Sequence, residues 1–140
     1  MNAGFLSPYR VVPLLVVMGV IFFLSHQPGD GLEALSYPGL DKAAHIIVYC
    51  VLAAAVIYAF PPEVRLLKPS KVVIFTLLFC VFHGILDEFH QSFVPLREPS
   101  WADVLADFTG ALISTLIWWK GRKRRATASR WVHRRLKSLL

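Results

Sequence analysis

The sequence predicts an all-helical membrane protein: a four-transmembrane-helix bundle ending in a basic amphipathic tail helix. Three observations predict it. Of the 140 residues, 56% are hydrophobic and only 17% charged; four apolar windows recur along the chain; and nine of the fifteen Lys and Arg residues are collected after Trp119. A soluble domain carries about a quarter charged residues, so this composition fits a membrane better than water.

The first apolar run, Val11 to Gly29, follows the basic flank MNAGFLSPYR. No small-x-small cleavage site follows in SHQPGD, so the run reads as a retained span over about 8–27 rather than a cleaved signal. The charge-free run from Ala43 to Pro62 predicts a span at 43–62, and the run from Val72 to Leu86, counted outward from Lys71, one at 72–91. The last runs back from Trp119 to about 101 and is interrupted by Asp107. Each approaches the ~20 residues that a ~30 Å hydrocarbon core requires at 1.5 Å per residue. QPGDG and YPG punctuate the first loop, PPEVRLLKPSK the second and VPLREPS the third. Residues 1–120 thus read as one membrane domain and 121–140 as a basic tail.

Four spans put both termini on one side. Arg10, Arg65, Lys68, Lys71 and the tail fall there, against Lys42 and Arg97 opposite, so the positive-inside rule places both termini in the cytoplasm. The acids sort the other way, with only Glu63 on the inner side. Beside a span, the tail reads as a topology anchor, and no nucleic-acid partner is expected. Trp131, Val132, Leu136, Leu139 and Leu140 share one broad helical face opposite Arg and His, the pattern of an interfacial helix on anionic lipid. Cys50 and Cys80 stand far apart in apolar runs, without CxxC spacing, and read as small packing residues.

The ionisable residues inside the spans fall on stripes. Asp41, His45 and Tyr49 follow i, i+4, i+8; Asp103, Asp107, Gly110 and Ser114 follow i, i+4, i+7, i+11; Gly84, Glu88 and Gln91 make a third. A charge facing lipid costs several kcal/mol, so the stripes are expected to face one another around a polar pocket near the outer surface. The inner halves of the helices carry few polar groups beyond Ser114 and Thr115, which favours an outward-open site over a channel.

These residues carry a resemblance. DKAAHIIVYCVL followed by DEFHQSFVPLREPSWADVLADFTGAL, after an early SHQPG, is similar to the pattern of the VanZ-like family of bacterial membrane proteins. The resemblance implies a compact helical membrane domain in a bacterial cytoplasmic membrane, and a family whose founding member is linked to teicoplanin resistance. It marks Asp41, Lys42, His45, Tyr49, Glu88, Gln91, Arg97, Asp103 and Asp107 as characteristic positions. Asp107 stands where many relatives carry Asn, and Leu96 where a Gly is frequent.

The expected partners are membrane lipids, with an anionic lipid head group or lipid-linked cell-wall precursor in the pocket. Asp41, Lys42, Tyr49, Asp87, Gln91, Arg97 and Asp107 are the expected ligand-binding residues, with Arg97 able to grip a phosphate bidentately. A second reading is a membrane-embedded hydrolase or transferase, with His45, Glu88 and Asp103 as acid-base residues. A third is a structural protein whose ions pair internally: Lys42 with Asp41 or Asp103, Arg97 with Glu98 or Glu88. His83, Asp87, His90, His45 and Asp41 are metal-ligand types, yet no H-E-x-x-H or similar signature is present, so no metal and no cofactor is expected. No G-x-S-x-G elbow or phosphate-cradling glycine loop occurs.

Overall fold

The computed structural model describes the backbone of residues 8–29 and 39–137, and side chains over 9–29 and 39–122. Among the described residues it is all-helical: α1 (Pro8–Ser25), α2 (Leu40–Ala59), α3 (Pro62–Leu67), α4 (Pro69–Gln91) and α5 (Trp101–Lys137).

Local chemistry sets the ends. Gly39, at φ 86°, makes the left-handed turn into α2, a conformation open to glycine at little cost. At the other end Pro61 pushes Phe60 into extended backbone, with ψ 139°, and the helix stops. Prolines then open both α3 and α4, where the missing N–H has no intrahelical partner to lose. The Ser100 hydroxyl accepts the Ala102 N–H at 3.1 Å and caps α5. The PPEVRLLKPSK break therefore contains the short helix α3, which was expected as a loop.

α2 is the central element, packed most extensively on α5 and also against α1 and α4. The α2–α5 approach depends on Gly110: a Cβ there would overlap the Ile46 carbonyl oxygen and sit 3.0 Å from the Cys50 nitrogen. Leu52, Ala53 and Val56 of α2, Phe60 just past its end, Val72 and Cys80 of α4 and Ala111 of α5 form the buried apolar core with Leu14 and Ile21 of α1. The outward faces are apolar too, with Phe22, Phe82 and Ile117 all exposed.

α2 and α4 are long and apolar enough to cross a membrane, with mean hydropathy of 1.9 and 2.0 over their most apolar windows. These two stand against the four spans expected. α1 is a shorter apolar helix, and α5 carries Asp103 and Asp107 at one end and a basic run at the other. α5 also runs from the expected fourth span through Lys137 without a break. At 37 residues it is about 55 Å long, well beyond a ~30 Å core. The apolar tail face from Trp131 to Leu140 lies outside the described side chains.

Candidate functional site

A cavity of about 460 Å³ opens where the end of α1, the start of α2, the end of α4, the α4–α5 loop and the start of α5 meet. Asp41, His45, Tyr49, Asp87, Gln91, Arg97, Glu98 and Asp103 supply its polar lining, and Ile21, Leu24, Val48 and Leu96 its apolar walls. The i, i+4 spacing on α2 turns Asp41, His45 and Tyr49 to this side, and the matching stripes on α4 and α5 face them.

At the rim, the Lys42 ammonium donates to Asp41 at 2.8 Å and to Asp103 at 2.9 Å. Lys42 and Asp41 are both half-exposed, so their bond adds little; Asp103 is nearly buried, and its bond ties α5 to α2. One turn deeper, His45 Nδ1 lies 2.8 Å from Asp107 Oδ1. Asp107 is 0% exposed, and its Oδ2 has no hydrogen-bond partner among the described residues. Gly84 makes room for that oxygen: a Cβ at 84 would lie 2.5 Å from it. Deeper still, the Tyr49 hydroxyl and His83 Nδ1 are hydrogen-bonded at 3.0 Å.

α4 brings two adjacent carboxylates. Asp87 accepts the Ser25 hydroxyl at 2.5 Å and the Gln91 amide at 3.0 Å. Glu88 accepts the Ser100 backbone N–H at 2.7 Å through Oε2, while its Oε1 is buried without a partner among the described residues. Glu88 thus sits behind the cavity lining, as does Asp107. His45, Asp87 and Glu88 each offer one donor atom, and these atoms lie within 4.8 Å of one another.

Arg97 follows a tight turn. Arg97 N–H bonds the Val94 carbonyl at 3.3 Å, with Pro95 second and Leu96 third at φ 58°, the arrangement of a type II turn. That turn asks for glycine at its third position, which gives a physical reason for the Gly frequent there in the resembling family. The same turn holds the start of the first loop, since Gly29 N–H bonds the Pro95 carbonyl at 3.2 Å. Among the described residues, the pairing of Arg97 with Glu98 or Glu88 does not form and the buried Arg97 Nε has no partner.

All ten sequence-derived candidates therefore meet at one end of the bundle. Sequence reasoning missed the roles of Ser25 and Ser100, which steady Asp87 and Glu88; a hydroxyl at the end of a helix and a backbone N–H leave no pattern to read. It also missed the His26–His90 pair at 3.3 Å beside the cavity.

Residues 10–122, which include every residue of this cluster, match the sequence model of the VanZ/LLP1 family. The chain belongs to the VanZ/LLP1 family. Among curated proteins, the VanZ/LLP1 chain is similar to Uncharacterized protein C11E3.10 of Schizosaccharomyces pombe, 28% identical over 129 residues that cover 89% of this chain and 74% of the relative. No solved structure matches. VanZ/LLP1 membership, together with the two long apolar helices, supports a membrane protein. The yeast relative also means that the likeness does not mark the chain as bacterial.

Proposed function

We propose that this VanZ/LLP1 chain is a multi-pass membrane protein whose polar pocket binds the phosphate-bearing head group of an anionic lipid or lipid-linked precursor. All four long helices cross the bilayer, with both termini on the basic side and the pocket opening to the other. The outward apolar residues Val12, Val16 and Phe23 of α1 and Leu105, Leu116 and Ile117 of α5 support the two less obvious crossings, since such faces suit lipid better than water. In a bacterium this places the protein in the cytoplasmic membrane, open to the envelope side.

The observation that carries the reading is Arg97. The pocket is rich in carboxylates, Lys42 is committed to two of them, and Arg97 forms no ion pair among the described residues. A guanidinium held at the mouth of a cavity with apolar walls suits a phosphate attached to an acyl or prenyl tail. A relative in a fungus, a cell without peptidoglycan, favours a ligand common to both kinds of cell, and phosphate-headed lipids are common to both. A role in glycopeptide resistance follows only where the bound lipid is a cell-wall precursor.

Lipid-resolved native mass spectrometry of the detergent-extracted protein, supplied with phosphatidylglycerol or phosphatidylcholine, tests this. Arg97→Ala is expected to lose the anionic lipid by tenfold or more while keeping its melting temperature, and Arg97→Lys to lose part. Equal retention in a folded Arg97→Ala protein rejects the head-group reading.

The hydrolase or transferase reading rests on His45, whose Nδ1 is held by Asp107 and whose ring lies near the carboxylates of Asp87 and Glu88. Turnover of a lipid phosphate that Glu88→Gln abolishes, with lipid binding intact, is the result that favours it.

A further inference from the structure

Asp41, Asp87, Glu88, Glu98, Asp103 and Asp107 crowd one end of the bundle, and Lys42 offsets only two of them. A phosphate drawn to Arg97 meets the other carboxylates at short range in a medium that screens poorly. We infer that His45 and Asp87, which line the pocket, and Glu88 behind them form a divalent-cation site. The ion's further role, bridging these residues to the phosphate, rests on the head-group reading above.

Two independent observations point to an ion beyond the proximity of three donors. Glu88 is 6% exposed, and its Oε1 is buried with no partner among the described residues. Such an oxygen costs about 1–3 kcal/mol unless something meets it. The surroundings of all three donors are also already those of metal ligands. His45 Nδ1 is tied to the fully buried Asp107; a neutral ring that donates this bond carries its lone pair on Nε2, the carboxylate–histidine arrangement that orients metal-bound imidazoles. Asp87 is held by Ser25 and Gln91, and Glu88 Oε2 by the Ser100 N–H, so each carboxylate is aimed by outer hydrogen bonds and keeps lone pairs to donate.

One imidazole nitrogen and two carboxylate oxygens suit Zn²⁺ or Mn²⁺ better than a thiolate-seeking ion. Bonds of about 2.0–2.2 Å require the donors, now within 4.8 Å, to close by small side-chain adjustments. With three protein ligands a coordination position stays open toward the pocket, and a phosphate oxygen can fill it. The sequence holds no metal signature because Asp87 and Glu88 on α4 meet His45 on α2 only through folding.

The test uses the full-length protein in detergent, stripped with EDTA and titrated with Mn²⁺ by electron paramagnetic resonance and with Zn²⁺ against a chromophoric chelator. One ion per chain is expected, with an imidazole nitrogen coupling on bound Mn²⁺ and affinity lowered at least ~10–100-fold in Glu88→Gln and His45→Ala. No stoichiometric binding, no nitrogen coupling in the wild-type protein, or folded variants that bind as wild type overturn the inference. Anionic lipid that still needs Arg97 but binds the stripped protein without any ion overturns the cation site and leaves the head-group reading standing. An ion bound through His45 and Glu88, with no anionic lipid taken up, supports the cation site and rejects the head-group reading.

Discussion

Replacing Gly110 by alanine sets two known effects against each other. In the interior of α5, Gly→Ala alone stabilises a helix by about 1 kcal/mol. At position 110, however, the new methyl group overlaps the backbone carbonyl of Ile46 and comes within 3.0 Å of the Cys50 nitrogen. Backbone cannot rotate away as a side chain can, so α2 and α5 must separate by about an ångström to restore ordinary contact. That gap weakens packing along the seam, at a cost of about 1–3 kcal/mol. It also stretches the 2.8 Å His45–Asp107 bond, worth about 1.5–3 kcal/mol for a charged partner. The net expectation is a loss of about 2–4 kcal/mol, a fall of roughly 5–15 °C in Tm for a chain of this size. Gly19 in α1, with nothing within 4 Å of its Cβ position, is the matched control. Gly19→Ala is expected to hold or raise Tm by a few degrees. Thermal unfolding of both variants in one detergent decides the matter: a Gly110→Ala protein as stable as Gly19→Ala refutes the close α2–α5 approach and the site geometry built on it.

Substitutions at two further positions probe the ion pairs. Asp107→Asn keeps an oxygen for the His45 N–H and is expected to leave Tm nearly unchanged, whereas Asp107→Ala strands the histidine and costs about 1–3 kcal/mol; equal melting of the two variants counts against the bond. Lys42→Ala removes the link to Asp103, but with the lysine side chain 42% exposed the loss is held to about 1 kcal/mol and shrinks in high salt. A salt-independent loss of several kcal/mol, read by thermal unfolding at two ionic strengths, contradicts that account.

The sequence by itself determined the helical class, the stripes and the family. Those are local or additive properties: an apolar run long enough for a bilayer, a period of four that puts Asp41, His45 and Tyr49 on one face, and the DK…H…Y and E…Q…Arg…D motifs. The tertiary structure decided the partners. Lys42 had Asp41 and Asp103 as alternatives and takes both, while Arg97, paired with Glu98 or Glu88 only in the structural reading, forms neither pair among the described residues. That Asp107 meets His45 depends on the depth at which α5 slides along α2, and the close approach at Gly110 sets that depth. The grouping of His45 with Asp87 and Glu88, and the support of Glu88 by the Ser100 N–H, join residues on separate elements through backbone and rotamer geometry. Helical periodicity says which way a side chain points along its own axis. It carries no information on the register between helices, and that register turned three polar stripes into one site.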